Sequence, residues 1–262
     1  MPNAGIAFTN VSYTLPTGRT LLRDINLTLE AGSTTAILGR SGSGKTTLLR
    51  MVNGLVMPTT GEVGVGSKAT PAYDLIELRR SIGYVIQETG LFPHMTVERN
   101  AGLALELANT PSAERLRRTD EVLALCGLNF TEFHARYPWQ LSGGQRQRVG
   151  LARALATDPG VLLMDEPFGA LDPLTRAEMQ TMLRDLLARV GKTVLLVTHD
   201  LDEALYLADR IVLLDSGRIL ANLTPQEFLR SAQPEVRAYV QAFRRALPAD
   251  PATAPPTQEA AP

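Results

Sequence analysis

The chain has 262 residues, 44% of them hydrophobic, and its 26 Lys and Arg nearly cancel 27 Asp and Glu for a formal net charge of -1. That apolar content suffices to bury one substantial core with a smaller subdomain attached, and the near-neutral balance excludes a global positive field that would hold the chain on nucleic acid. The single cysteine, Cys126 in the apolar stretch EVLALCGL, excludes a disulfide framework within one chain and points to a buried thiol in a reducing compartment.

The opening MPNAGIAFTN lacks a basic segment followed by an apolar one, and no run approaches the roughly 18 apolar residues of a membrane span. The chain is therefore expected neither to enter nor to cross a bilayer by itself. From Ile6 to Leu38 the pattern predicts strands: IAFTNVSYTL, then INLTLE with alternating Ile25, Leu27 and Leu29, then TTAILG, separated by turns at Pro16, Gly18 and Gly32. A helix is predicted from Lys45 through TTLLRMVN to a stop at Gly54. Short strands GEVGV and SIGYVIQ follow. Between Val97 and Leu128 the segments VERNAGLALEL and SAERLRRTDEVLALCGL carry helical spacing without strand punctuation, which predicts a helical insert. Beyond LSGGQ come the helix RQRVGLARALA, the strand VLLMD, the helix TRAEMQTMLRDLLARV, the strand TVLLVTH and the helix LDEALYLAD. Such alternation implies a parallel sheet covered by helices. The strand RIVLLD and the turn DSG lead to Thr224, Pro225 and Glu227, spaced as N-cap, first-turn proline and capping-box acid, and a last helix is expected near PEVRAYVQAFRRAL. The tail PADPATAPPTQEAAP is expected to be disordered, and no internal repeat is present.

Gly39, four intervening residues, Gly44, Lys45 and Thr46 match a phosphate loop, and they stand between a strand and a helix as that mechanism demands. Glycines let successive N–H groups curl around phosphates, the helix N-terminus favours their charge, Lys45 bridges the outer two, and the Thr46 hydroxyl can ligate Mg²⁺. In VLLMDEP a strand delivers Asp165 and Glu166 to its C-terminal end, an awkward pair without a cation. Asp165 can hold Mg²⁺ through its water shell while Glu166 orients and polarises an attacking water. LSGGQRQR puts Ser142 as an N-cap ahead of Gly143 and Gly144, a second anion-binding helix terminus. It serves either a second ligand or the far side of the same phosphate, reached from another subunit.

In this order the motifs GRSGSGKTT, Gln87, LSGGQ, LLMDEP, ALD (Ala170 to Asp172) and Thr198-His199 resemble the ATP-binding cassette (ABC) family of transporter ATPases, from about Ile6 to about Arg244. The resemblance implies an α/β fold: a P-loop NTPase with a RecA-like parallel-sheet core, an N-terminal antiparallel β subdomain and an inserted helical subdomain at about 90–150. The ATPase domain would span 1–245 and the disordered tail 246–262. The resemblance further implies that ATP is bound by Gly39, Ser41, Gly42, Gly44, Lys45, Thr46 and Thr47, with Mg²⁺ on Thr46, Gln87 and Asp165. It implies a head-to-tail dimer, with a second copy or a paralogous ATPase, in which Ser142, Gly143, Gly144 and Gln145 of one protomer cap the γ-phosphate held by the other's Lys45. Gln87 corresponds to the lid glutamine, Glu166 and His199 to the catalytic glutamate that polarises the attacking water and the switch histidine, and Asp172 to the acid at the dimer seam. The family usually stacks an aromatic on adenine just after the first strand, where this chain has Leu15. Tyr13, on the same face by alternation, is expected to stack or to be core. His94 and His134 lack ligand spacing and read as surface or loop residues.

The segments LRRSIGYVIQETGLFPHMTV, RYPWQLSGGQRQRVGLARALATDP and LLMDEPFGALDPLTR look most like ATPases of osmoprotectant import, serving glycine betaine, choline and carnitine. Another small polar solute, an amino acid or a sulfonate, is the alternative. The resemblance implies separate membrane permease subunits, a solute-binding protein acting through them, and a peripheral position on the cytoplasmic face of the plasma membrane. Leu91, Phe92 and Met95 would serve the permease-docking edge or the subdomain core. A cassette ATPase acting on DNA or ribosomes, a nucleotide-responsive adaptor and an exporter are the rival readings; no nucleic acid partner is expected.

Overall fold

Continuous apolar runs fold into central strands because both faces of such a strand must be covered. The computed structural model describes residues 4–87 and 89–246. Among the described residues, β3 (Thr34–Leu38), β6 (Ile82–Val85), β7 (Val161–Asp165), β8 (Thr193–Val197) and β9 (Arg210–Asp215) run parallel in the order β9-β3-β8-β7-β6. The edge strand β10 (Arg218–Leu223) pairs antiparallel with β9. Every residue of β3, β7 and β8 is buried, as their unbroken runs TTAIL, VLLMD and TVLLV require.

A second, antiparallel sheet has the order β2-β1-β4-β5, built from β1 (Ile6–Thr14), β2 (Thr20–Leu29), β4 (Thr60–Val65) and β5 (Lys68–Ala69). It packs on one face of the parallel sheet with α1 (Lys45–Val52) and α2 (Leu75–Ser81), in a core that takes Ile37, Val161, Leu163, Leu195 and Val197 from the strands. The neighbouring residues Ala36, Leu38, Leu162, Met164, Val194 and Leu196 point into a second core. Alternation along each strand thus divides its side chains between two hydrophobic bodies.

The second core holds α3 (Val97–Leu107), α4 (Ser112–Leu125), α5 (Phe130–Phe133) and α6 (Gly143–Leu155), together with α7 (Pro173–Val190), α8 (Leu201–Leu207), α9 (Pro225–Arg230) and α10 (Pro234–Ala246). The helical insert expected at about 90–150 corresponds to α3 through most of α6, whose C-terminal half also covers β6. Thr96 caps α3, and Ser142 and Thr224 each make the two reciprocal bonds of a capping box. The sequence pattern did not disclose α2, β5 or β10. It also started β2 late, at Ile25 rather than Thr20, and ran β6 to Gln87, which lies in a turn beyond Val85. The last helix includes residue 246, where the tail was expected to begin; 247–262 lie outside the described residues.

Cys126 is fully buried at the end of α4, and burial pushes its thiol up to about 12. A thiolate-dependent reagent such as dithionitrobenzoate should therefore leave the native chain unlabelled at pH 8 and titrate one thiol per chain once denaturant is added. Rapid labelling of the native protein would contradict that burial.

Candidate active site

Between β3 and α1 the chain passes so close to its neighbours at Gly39 and Gly44 that a side chain is excluded at each. A Cβ on Gly39 would strike the Leu214 carbonyl oxygen and sit 2.9 Å from Ser43 Oγ. One on Gly44, whose φ is 104°, would lie 2.6 Å from Leu22 Cδ2. Ser43 N donates to Arg40 O at 3.2 Å, whereas among the described residues no hydrogen bond takes up the amides of Ser41, Gly42, Gly44, Lys45 or Thr46. Amides aimed outward at a helix N-terminus make a cradle for an anion. Lys45 lies almost wholly buried in its mouth, donating from Nζ to Gly39 O at 2.9 Å and Arg40 O at 3.0 Å. Burial lowers its pKa, against the opposing pull of Glu166 and Asp165. Thr47 follows in the first turn of α1.

The pairing of β7 with β8 brings Asp165 opposite Val197, so both strands end at the same level beside the cradle. Asp165 accepts from Thr46 Oγ1 at 2.9 Å. Burial raises the pKa of its carboxyl, an effect that Thr46 and Arg50 oppose and the charge of Glu166 reinforces. Glu166 has left the strand conformation, with φ at 45°, and its amide donates to Val197 O at 2.9 Å. A non-glycine residue held there costs about 1 to 3 kcal/mol. The turn lets neighbours in sequence serve different partners: Glu166 Oε2 meets His199 Nδ1 at 3.2 Å and Gln87 Nε2 at 3.5 Å.

Residues to which the sequence reading gave no role of their own hold these groups in place. Thr198 Oγ1 donates to the buried Glu203 at 2.5 Å and accepts from Asp200 N at 3.0 Å, which fixes the turn carrying His199. From α10 the Tyr239 hydroxyl donates to His199 O at 3.4 Å. Beyond Gln87, Arg153 grips Thr89 O and Gly90 O at 2.6 and 2.7 Å. The fully buried Asn100 accepts from Phe92 N at 2.8 Å and donates to Phe92 O, Met95 O and Thr96 O. A polar residue inside the otherwise apolar face of VERNAGLALEL was the one available signal for Asn100.

The structure thus brings together Lys45, Thr46, Gln87, Asp165, Glu166 and His199. Ser142, Gly143, Gly144 and Gln145 form a second group at the start of α6, where Ser142 Oγ accepts from Gln145 N at 3.2 Å and Gln145 Oε1 accepts from Ser142 N at 2.9 Å. Asp172 stands beside it as the N-cap of α7, accepting from Thr175 N at 3.0 Å. Among the described residues no hydrogen bond or ion pair joins the second group to the first. Tyr13 is half-buried and packs on the antiparallel-sheet core, and register shifts on either side of it interrupt the alternation that linked it with Leu15. His94 is exposed and His134 ends α5, stacked on Phe130.

The donor set fits a hard divalent cation shared with phosphate. One buried carboxyl beside a hydroxyl and a second carboxylate leaves charge to be neutralised, yet among the described residues no three His, Cys, Asp or Glu gather as a metal cage. Mg²⁺ binds in this way, through one or two protein oxygens with phosphate and water supplying the rest. Away from the cradle, exposed Ile76, Phe92 and Leu107 line a groove of about 560 Å³ with Arg79, Arg80 and Arg153. Leu91 and Met95 are half-buried, Leu91 against the helical core. No helix of the described residues is long and apolar enough to cross a membrane.

The ABC transporter family profile matches residues 22–169. The chain is 45% identical over 226 residues to the choline transport ATP-binding protein OpuBA of Bacillus subtilis (strain 168), a match covering 86% of this chain and 59% of that one. It is 47% identical over 219 residues to the glycine betaine uptake system ATP-binding protein YehX of Escherichia coli (strain K12), covering 83% and 71%. A solved dimeric structure of an ATP-binding cassette in a post-hydrolysis state, bound to ADP and Pi, superposes with a TM-score of 0.74 at 36% identity, covering 84% of this chain and 98% of that one. The chain spans less than two thirds of the length of OpuBA.

Proposed function

The chain belongs to the ABC transporter family, and on that premise we propose that it is the ATP-hydrolysing motor subunit of a bacterial importer, working as a head-to-tail dimer against separate permease subunits. The observation that carries this reading is the convergence of Lys45, Thr46, Gln87, Asp165, Glu166 and His199 around one amide cradle.

ATP as substrate would set its phosphates on the amides of Ser41 to Thr46, and Lys45 would exchange its bonds to Gly39 O and Arg40 O for the outer phosphate oxygens. Thr46, Asp165 and Gln87 would hold Mg²⁺, which when bound neutralises charge building on the transferred and leaving phosphates. Glu166, steadied by His199 and Gln87, would orient and polarise the attacking water. The freed face of His199 would contact the γ-phosphate and sense its loss.

Among the described residues the group at Ser142 to Gln145 makes no hydrogen bond to the cradle of its own chain, whereas a second copy placed head to tail would bring it onto the γ-phosphate, with Asp172 beside the water. A paralogous ATPase could fill the same place. ATP would close the dimer because each γ-phosphate gains contacts from both chains, and hydrolysis would release them. The groove of Ile76, Phe92 and Leu107 suits a short apolar permease segment, with Arg153 and Asn100 carrying its movement to Gln87. The motor would sit on the cytoplasmic face of the plasma membrane, served indirectly by a solute-binding protein.

For cargo, the likeness to a choline transporter ATPase and a glycine betaine uptake ATPase supports an osmoprotectant quaternary amine. The test is uptake of labelled glycine betaine, choline and carnitine at high and low osmolarity, in source cells carrying this chain or its Glu166→Gln variant. Loss of uptake of one of them in the variant is the expected result. Equal uptake of all three, with ATPase activity of the purified complex intact, would leave the motor and remove the cargo.

A further inference from the structure

Trp139 is the chain's one tryptophan and is 66% exposed, an unusual fate for the ring with most to gain from burial. It is nonetheless held in place. Its indole stacks on Tyr137 with centroids 4.5 Å apart and planes 12° from parallel, in a turn closed by Tyr137 N donating to Gln140 Oε1 at 2.8 Å. One face of the indole is covered and the other is open to solvent. Three residues later stands Ser142, the cap of α6, which among the described residues makes no hydrogen bond to the cradle of its own chain.

Tyr239 stands by Gly39 and Arg40 on one side of the cradle, whereas on the Gly44 side the nearest side chains are aliphatic. Gly44 is walled by Leu22 and Leu21, so a ligand extending past the phosphates meets the end of the β1–β2 hairpin. There Leu15 is half-buried and Tyr13 packs into the core. Such an apolar ledge can support one face of a flat group and leaves its other face uncovered.

We infer that Trp139 of one protomer stacks its open face on the base of the nucleotide held in the other protomer's cradle, completing a site that one chain supplies only in part. This rests on the head-to-tail dimer proposed above. The span suits the role, since three residues of chain reach about 10 Å at most, the scale on which a base stands off from its terminal phosphate. Stacking on an aromatic face tolerates any base, so the site would accept nucleotides whatever their base and owe its discrimination to the presence of one.

The experiment uses the full chain. In the Glu166→Gln background with Mg²⁺, light scattering reports dimerisation while the emission of Trp139 reports its neighbours. ATP should give a dimer with quenched emission, and the base-less ribose 5-triphosphate a dimer without the quench. In the otherwise unaltered chain, Trp139→Ala should raise the ATP concentration for half-maximal hydrolysis about tenfold, leave that for ribose 5-triphosphate unchanged, and be rescued by Trp139→Phe. A dimer whose emission ignores the base, with no shift in Trp139→Ala, would overturn the stacking and leave the motor standing. No dimer at saturating ATP would overturn the head-to-tail arrangement and the stacking with it.

Discussion

Replacing Glu166 by Gln should slow ATP turnover by about two to four orders of magnitude, the range a positioned general base contributes, while ATP binding stays within a few-fold of normal. The substitution keeps the size of the side chain and makes no new demand on a backbone already at φ 45°. It also keeps an oxygen to face His199 Nδ1, now 3.2 Å away. What it removes is the charge that polarises water. Since the phosphate contacts of Lys45 and the loop amides are untouched, the variant should collect in the ATP-bound dimer, visible by gel filtration with light scattering. Turnover at the unaltered rate would take Glu166 out of the hydrolytic step.

Lys45→Ala should act on binding itself. The ammonium is buried, its hydrogen-bond acceptors among the described residues are Gly39 O and Arg40 O, and two carboxylates attract it from nearby. A charge-assisted bond contributes about 1.5 to 3 kcal/mol, and each 1.4 kcal/mol is about tenfold in affinity. ATP affinity should therefore fall about 10- to 100-fold, measured by calorimetry or by displacement of a fluorescent nucleotide. An unchanged affinity would mean that the amides alone hold the phosphates. The two variants thus separate chemistry from binding at one site.

Much of this architecture can be read from local pattern because its strands are unbroken apolar runs and its glycines are forced. TTAIL, VLLMD and TVLLV have one sensible fate, and the loop after Leu38 admits no side chain at Gly39. Short elements were harder. In α2, seven residues capped by Asp74, too few turns exist for periodicity to register. In β10 the sequence RILANL carries a register shift between Ile219 and Ala221, which blurs its alternation. At the site, motif residues were recognisable one by one, but the contacts of Gln87 and His199 with Glu166 arise from strands that are neighbours in the sheet and distant in sequence. Supporting residues such as Asn100, Arg153, Glu203 and Tyr239 carry no spacing rule, because each serves a loop whose shape exists only after folding.

The division of each central strand between two cores has a mechanical meaning. The helical insert is rooted in one core and the antiparallel sheet in the other, with the parallel sheet as a shared wall. Tilting the insert would rearrange side chains on one side of that wall only, so the half cupping the phosphates is insulated from the strain. Force would then pass where the wall has openings, at the strand ends beside Gln87, Glu166 and His199, and a motor so built could stroke without loosening its grip on fuel.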